Sequence, residues 1–146
     1  MDKKFFLIEF LKIMAYAEYY FKKREYLAFF NTGLTIAFVS IQVGHFILAD
    51  KVYSLWGQML MTAKKFTLAL DMYRKLRNCA HSHKDVITKM FAYRQMAFCF
   101  FKVEKYEDAI ICYKHLLALA WTTKSFEAEL AAYEGLASMH LYLGNI

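Results

Sequence analysis

Apolar and small residues recur along the chain with a spacing of 40 positions. Tyr53, Tyr93 and Tyr133 form the first set in this register. The other sets are Ala17, Gly57, Ala97 and Ala137; Tyr26, Phe66 and Tyr106; Ala69 and Ala109; and Tyr73 and Tyr113. Within a unit the apolar positions lie three or four residues apart, a spacing that places them on one face of a helix. Several sets that share one register indicate an internal repeat.

Each unit predicts two helices separated by a short break. The break lies at Lys64-Lys65 in one unit and at Glu104-Lys105 in the next. We expect small residues to face each other where the two helices cross, Gly57 with Ala69 and Ala97 with Ala109. Tyr73 and Tyr113, four residues on, are expected to fill the gap towards the next hairpin. One hairpin cannot bury its apolar face alone, so neighbouring units should stack.

Composition agrees with an all-helical chain. The 146 residues include no Pro and only five Gly, so the frequent turn signals of a β-sandwich or barrel are absent. The sequence predicts an all-α fold, an α-solenoid of antiparallel helical hairpins with about three and a half units in a single domain. The predicted units are about 10–49, 50–89, 90–129 and a truncated 130–146.

The order of aromatic, small and aromatic positions resembles the tetratricopeptide repeat (TPR) family. The resemblance covers 50–121 best, and Leu143-Gly144-Asn145 matches the family's inter-helix turn. It is weaker over 10–40, where Phe29 stands in place of Ala and Gly33 in place of an aromatic. The period is 40 rather than the usual 34 residues, so we expect longer helices. The chain is also similar to long-repeat TPR proteins of ciliated protists.

The resemblance implies a partner-binding groove lined by the first helix of each unit. The groove positions are Lys51, Gln58, Phe91, Arg94, Phe98, Phe101, Lys102 and Tyr142. Aromatic side chains with an Arg and a Lys suit a helical or extended peptide of mixed apolar and acidic character. Alternatively, the aromatic side chains pack between neighbouring units.

Charge is concentrated in the middle of the chain. The net charge is +6, and the segment 51–89 carries all of it. We predict a basic patch there that consists of Lys64, Lys65, Arg74, Lys75 and Arg77. Such a patch favours an acidic protein surface such as tubulin. RNA binding is an alternative, but the groove positions show no repeated base-reading code, so nucleic acid is not the expected partner.

A run of 24 residues, 26–49, contains no charged side chain. It is long enough to span a bilayer, so a membrane-anchored protein is another alternative. The run also lies in register with the repeat, where it supplies the second helix of the first hairpin and an apolar linker. We favour burial within protein.

Candidate chemistry is sparse. Cys79, Cys99 and Cys112 are odd in number and form no CxxC pair, which indicates a reducing compartment and a cytoplasmic location. Cys79, His81 and His83 place soft ligands in a predicted inter-repeat loop, but the sequence shows no second ligand pair near them, so no metal is expected. No phosphate loop or catalytic motif is present.

We therefore expect a non-enzymatic scaffold or adaptor without cofactors. It would bind other proteins as a subunit of a larger assembly. As a more specific expectation, that assembly belongs to the cilium or cytoskeleton.

Overall fold

The computed structural model describes residues 3–144, and within them the chain forms seven α-helices and no strand. The helices are α1 (Lys3–Lys22), α2 (Tyr26–Gln42), α3 (Phe46–Thr62), α4 (Phe66–Ser82), α5 (Val86–Lys102), α6 (Tyr106–Thr123) and α7 (Phe126–Leu143). Each helix packs against the helices before and after it, and α5 also touches α7. One apolar core runs without interruption from Ala17 to Met139. The predicted all-α helical-repeat solenoid is confirmed.

A turn with one left-handed residue follows every helix in 3–144. In the turn after α3, the Lys65 amide donates to the Leu60 carbonyl at 2.8 Å and the Lys64 amide to the Met61 carbonyl at 2.9 Å. This pair of bonds is the Schellman motif, which satisfies carbonyls at a helix end. The left-handed residues, with φ between 57° and 81°, are Arg24, Gly44, Lys64, Lys84, Glu104, Lys124 and Gly144. The turns therefore recur every 20 residues, half the sequence period.

This spacing explains where the extra residues of the long repeat lie. α2, α3, α4 and α5 are each 17 residues long, and three-residue turns join them, so the longer period lengthens the helices, as expected. The first helices of the later hairpins begin at Phe46, Val86 and Phe126, four residues before the unit boundaries at 50, 90 and 130. Of the predicted turn 143–145, Asn145 lies outside the described residues.

The uncharged run 26–49 is not one helix. α2 ends at Gln42, Gly44 takes a φ of 81°, and α3 begins at Phe46. The second helix of the first hairpin thus covers 26–42, and the last four residues of the run belong to α3. None of the helices described over 3–144 has both the length and the apolar character that a bilayer crossing needs.

Aromatic rings occupy the space beside the helical glycines. A Cβ placed on Gly57 would lie 2.8 Å from Cζ of Tyr73, and its three nearest atoms all belong to that ring. Tyr73, which we expected to fill the gap towards the next hairpin, therefore lies against the first helix of its own hairpin. A Cβ on Gly135 would collide with the ring of Tyr113. The small residue is needed because the facing ring is large.

In the first hairpin, the large and the small residue of the second helix exchange places relative to the second hairpin. Gly33 and Phe29 stand where the second hairpin has Tyr73 and Ala69. The indole of Trp56 lies over Gly33, where a Cβ would be 2.5 Å from its Cδ1, and stacks on Phe29 with ring centroids 5.2 Å apart. Its Nε1 also donates to the Phe29 carbonyl at 2.9 Å. Phe29 and Gly33 therefore depart from the repeat pattern together. Phe29 adds side-chain volume and Gly33 removes it, and both changes fit the side chain of Trp56.

Gly33→Ala should lower the free energy of unfolding by about 1–2 kcal/mol, because overpacking against the Trp56 indole outweighs the better helix propensity of alanine. Asn31→Ala is the matched control, since it places the same residue on the exposed side of α2 and should stay within about 0.5 kcal/mol. Urea unfolding followed by circular dichroism measures both. A Gly33→Ala protein as stable as Asn31→Ala would contradict the close packing.

Glu104→Gly should raise the free energy of unfolding by about 0.5–1 kcal/mol. Glycine avoids the left-handed penalty of roughly 1–2 kcal/mol that other residues meet, at some cost in chain entropy. Glu107→Gly, at an exposed position in the first turn of α6, offers no such relief and should destabilise, because glycine weakens a helix. Equal effects of the two substitutions in the same urea assay would refute this account of the turn.

Candidate functional site

A hollow of about 350 Å³ lies between α5, α6 and α7. Its walls are formed by Arg94, Phe98, Phe101, Tyr113, Ala131, Glu134, Gly135, Ser138, Met139 and Tyr142. Four of the predicted groove residues, Arg94, Phe98, Phe101 and Tyr142, thus come together here. The hollow exists because α5 and α7 contact each other beside the α6 helix that connects them.

Aromatic rings and cations line one side of this hollow. The rings of Phe101 and Tyr142 meet edge to face, with centroids 5.0 Å apart, and Tyr106 stacks on Tyr142 at 5.3 Å. Lys102 Nζ lies 5.3 Å from the ring centre of Phe98 and 5.7 Å from that of Phe101. These contacts hold apolar rings and a positive charge at the same surface.

The Tyr113 hydroxyl stays neutral in the wall of the hollow. Burial raises its pKa above the ordinary value, while the nearby Arg94 charge opposes part of that rise. The hollow therefore presents Arg94 and Glu134 as its ionised groups.

The other predicted groove residues lie elsewhere. Lys51 and Gln58 are exposed on α3 and are not in the wall of the hollow. Phe91 packs edge-on against Tyr73, with ring centroids 6.3 Å apart, and remains 41% exposed. The alternative of packing between units therefore holds for part of the Phe91 ring.

The predicted basic patch is divided between two places. Lys64 and Lys65 lie at the turn before α4, and Lys65 Nζ is 5.3 Å from the ring centre of Tyr26. Arg74 begins the second group about 14 Å further along the helix, at 1.5 Å per residue. Its guanidinium bonds Asp71 at 3.1 Å and lies 5.7 Å from the Phe100 ring centre.

In the second group, Arg77 covers the ring of Tyr93 at 5.7 Å and donates to Asn78. Lys75 is exposed between the two arginines. The arginines therefore also help to pack α4 on α5, whereas the lysines are available to solvent.

A second candidate site lies at the other end of the α3–α4 hairpin. Asp50 on α3, Cys79 on α4 and His83 at the end of α4 bring their ligand atoms within 4.8 Å of one another. Asp50 Oδ2 is 2.7 Å from His83 Nε2. Asp50 is only 8% exposed, and within the described chain its second carboxylate oxygen, Oδ1, is buried without a hydrogen-bond partner.

The prediction of a loop is wrong for Cys79 and His81 but right for His83, which lies in the turn after α4. Cys79 and His81 belong to the last turn of α4, which His83 caps. Cys79 and His83 are four residues apart and therefore share a helix face. His81 is exposed and turns away, with Nδ1 3.0 Å from Lys89 Nζ.

Asp50 stands 29 positions before Cys79 in the chain, so no local spacing of ligands predicts it. In an antiparallel hairpin, residues at equal distances from the turn lie side by side. Asp50 precedes Lys64 by 14 positions, and Cys79 follows Lys65 by 14. Hairpin symmetry was therefore the signal that could have found the pair.

The thiol of this cluster is not a reactive nucleophile. Burial raises the pKa of Cys79 to about 12, and the neighbouring Asp50 side chain adds to the rise. Cys99 and Cys112 are also buried, and burial raises their pKa values to about 12 and about 11. Since the thiolate is the nucleophilic form, these side chains remain unreactive thiols at neutral pH.

No protein-family model matches the chain, and no curated protein matches it either. The likeness to TPR proteins therefore rests on the repeat residues alone, and a functional proposal has to rest on the hollow and on the charge around it.

Proposed function

We propose that this protein is a non-enzymatic scaffold that binds another protein in the hollow between α5 and α7. The observation that carries the proposal is the convergence of Arg94, Phe98, Phe101 and Tyr142 on one concave surface. A volume of about 350 Å³ is near the lower end of the range for ligand pockets. Aromatic and Arg side chains are also the commonest anchors of protein interfaces.

The chemistry of the hollow supports a partner segment that is apolar with acidic flanks. Arg94 lies in its wall and Lys102 lies over the rings at its edge. An apolar side chain of the partner would contact Phe98 and Phe101, and a neighbouring carboxylate would pair with either cation. The Glu134 carboxylate on α7 would repel an acidic side chain of the partner on the opposite side of the hollow.

The cysteines support a role without covalent catalysis. Buried, protonated Cys79, Cys99 and Cys112 do not offer an activated nucleophile. The proposal therefore treats the chain as a binding protein and not as an enzyme.

Exposed apolar side chains support membership of a larger assembly. Leu7, Leu11 and Tyr16 on α1 and Leu141 and Tyr142 on α7 are each more than half exposed. A helix with such an exposed apolar surface is suited to contact with a further protein. In the finer form of the proposal, the assembly is cytoplasmic and cytoskeletal or ciliary, and the lysines of 51–89 face an acidic surface such as tubulin.

A photo-crosslinking residue in place of Phe98 should capture a discrete partner in extracts of the native source. The same residue in place of Lys114, exposed on α6 outside the hollow, is the control and should capture none of it. Arg94→Glu should reduce the yield of the Phe98 adduct at least fivefold, because it repels the acidic flank. Quantitative mass spectrometry measures the adducts. Equal capture from the two positions would refute partner binding in the hollow.

Reversal of Lys64, Lys65, Arg74 and Lys75 to Glu should release the protein from microtubules in a pelleting assay at about 0.15 M salt, where the screening length is about 8 Å. Reversal of Lys23, Lys105, Lys114 and Lys124 gives a matched control with the same change in net charge and should bind more tightly than the first variant. Equal pelleting of both variants would reject a localised basic surface, and no pelleting of the wild type would reject tubulin as the partner.

A further inference from the structure

We propose that Asp50, Cys79 and His83 form a zinc site that fastens α3 to α4 at the end of the hairpin opposite its turn. This inference concerns the α3–α4 hairpin alone and does not depend on the hollow between α5 and α7.

The set of ligand atoms suits zinc. Thiolate sulfur, imidazole nitrogen and carboxylate oxygen are the three donor types that Zn²⁺ takes from proteins. Magnesium and calcium prefer oxygen donors throughout, and copper(I) prefers sulfur. A mixed set with one atom of each type therefore favours a borderline cation over a hard or a soft one.

The separations are close to those of a tetrahedral site. Zinc bonds of about 2.0–2.3 Å place ligand atoms roughly 3.3–3.8 Å apart, and the three atoms already lie within 4.8 Å of one another. Small rotations of the Asp50 and His83 side chains would complete the approach. His83 Nε2 would exchange its contact with Asp50 Oδ2 for the metal, because 2.7 Å is a hydrogen-bond distance and not a ligand–ligand distance.

The unpaired oxygen of Asp50 is an independent indication of a ligand. Its Oδ1 is buried and has no hydrogen-bond partner in the described part of the chain, although a buried charged oxygen without a partner is costly. His83 forms a hydrogen bond with Oδ2 of Asp50, and Oδ1 is left without a partner. A cation between Asp50, Cys79 and His83 would neutralise the carboxylate and satisfy this oxygen.

The position of the cluster gives the ion a structural role. Asp50 lies in the second turn of α3, while Cys79 lies in the last turn of α4 and His83 immediately after it. The ring of Phe46 stacks on His83 with centroids 5.9 Å apart and covers one side. The His83 side chain remains 20% exposed, which gives the ion a route of entry and leaves room for a water as the fourth ligand.

Binding also has a defined proton balance. The Cys79 thiol would lose its proton to solvent as the sulfur–zinc bond forms, while Asp50 binds as the carboxylate and His83 as the neutral ring. At least one proton, that of the Cys79 thiol, would therefore leave for each ion bound.

The test uses the full-length protein, purified with chelator and titrated with Co²⁺, whose thiolate complexes absorb in the near ultraviolet. We expect one equivalent of Co²⁺ to give a thiolate charge-transfer band and tetrahedral visible bands, and one equivalent of Zn²⁺ to abolish them. Asp50→Asn, Cys79→Ser and His83→Gln should each weaken binding at least tenfold. In weak buffer, a pH indicator should report at least one proton per Zn²⁺ for the wild type.

Cys112→Ser and His81→Gln are the matched controls, because they remove a buried thiol and a neighbouring imidazole that lie outside the cluster. They should bind Co²⁺ like the wild type. His83→Gln, at a partly exposed position, keeps the test valid should a buried substitution unfold the chain, as monitored by circular dichroism. The absence of the charge-transfer band in the wild type, or equal losses in the control variants, would overturn the site.

Discussion

An aromatic ring seated on a glycine sets how closely neighbouring helices approach in this protein. Trp56 lies over Gly33, Tyr73 over Gly57 and Tyr113 over Gly135. Each of these contacts joins two successive helices of the stack. A larger side chain at any of these glycines would force the ring out of its place. The continuous core depends on these contacts because each helix has few neighbours other than the one before and the one after it.

Much of the architecture could be predicted because most repeat residues are packing residues, although Tyr133 and Ala137 of the last unit are exposed. Tyr53, Ala97 and Ala109 lie in the core, and their spacing alone indicated stacked hairpins. The turns were harder to place, because five of the left-handed positions carry Arg, Lys or Glu instead of glycine. Without that glycine the usual signal for a helix end is missing. The sequence therefore shows the 40-residue period of the hairpins but not the 20-residue spacing of the turns.

The two candidate sites were predictable to different degrees. The hollow could be predicted in part, since register places Arg94, Phe98 and Phe101 on one helix face, but the contribution of Tyr113 from α6 depends on the contact between α5 and α7. The Asp50 cluster depends on a pairing across a turn, which no local spacing reveals. The repeat register therefore brought Tyr142 together with the α5 residues, whereas Tyr113 and the meeting of Asp50 with Cys79 and His83 required the tertiary contacts.

The last helix has a consequence for recognition that follows from its shallow burial. In α7 only Ala132 and Met139 are buried among the described residues, whereas α4 buries seven. In a linear stack, stability is the sum of local contacts, so a helix that buries few side chains opens most easily. Yet α7 supplies most of the wall of the hollow. Binding of the proposed partner would therefore be coupled to the ordering of α7, and substitutions in α7 that never touch the partner would change the affinity.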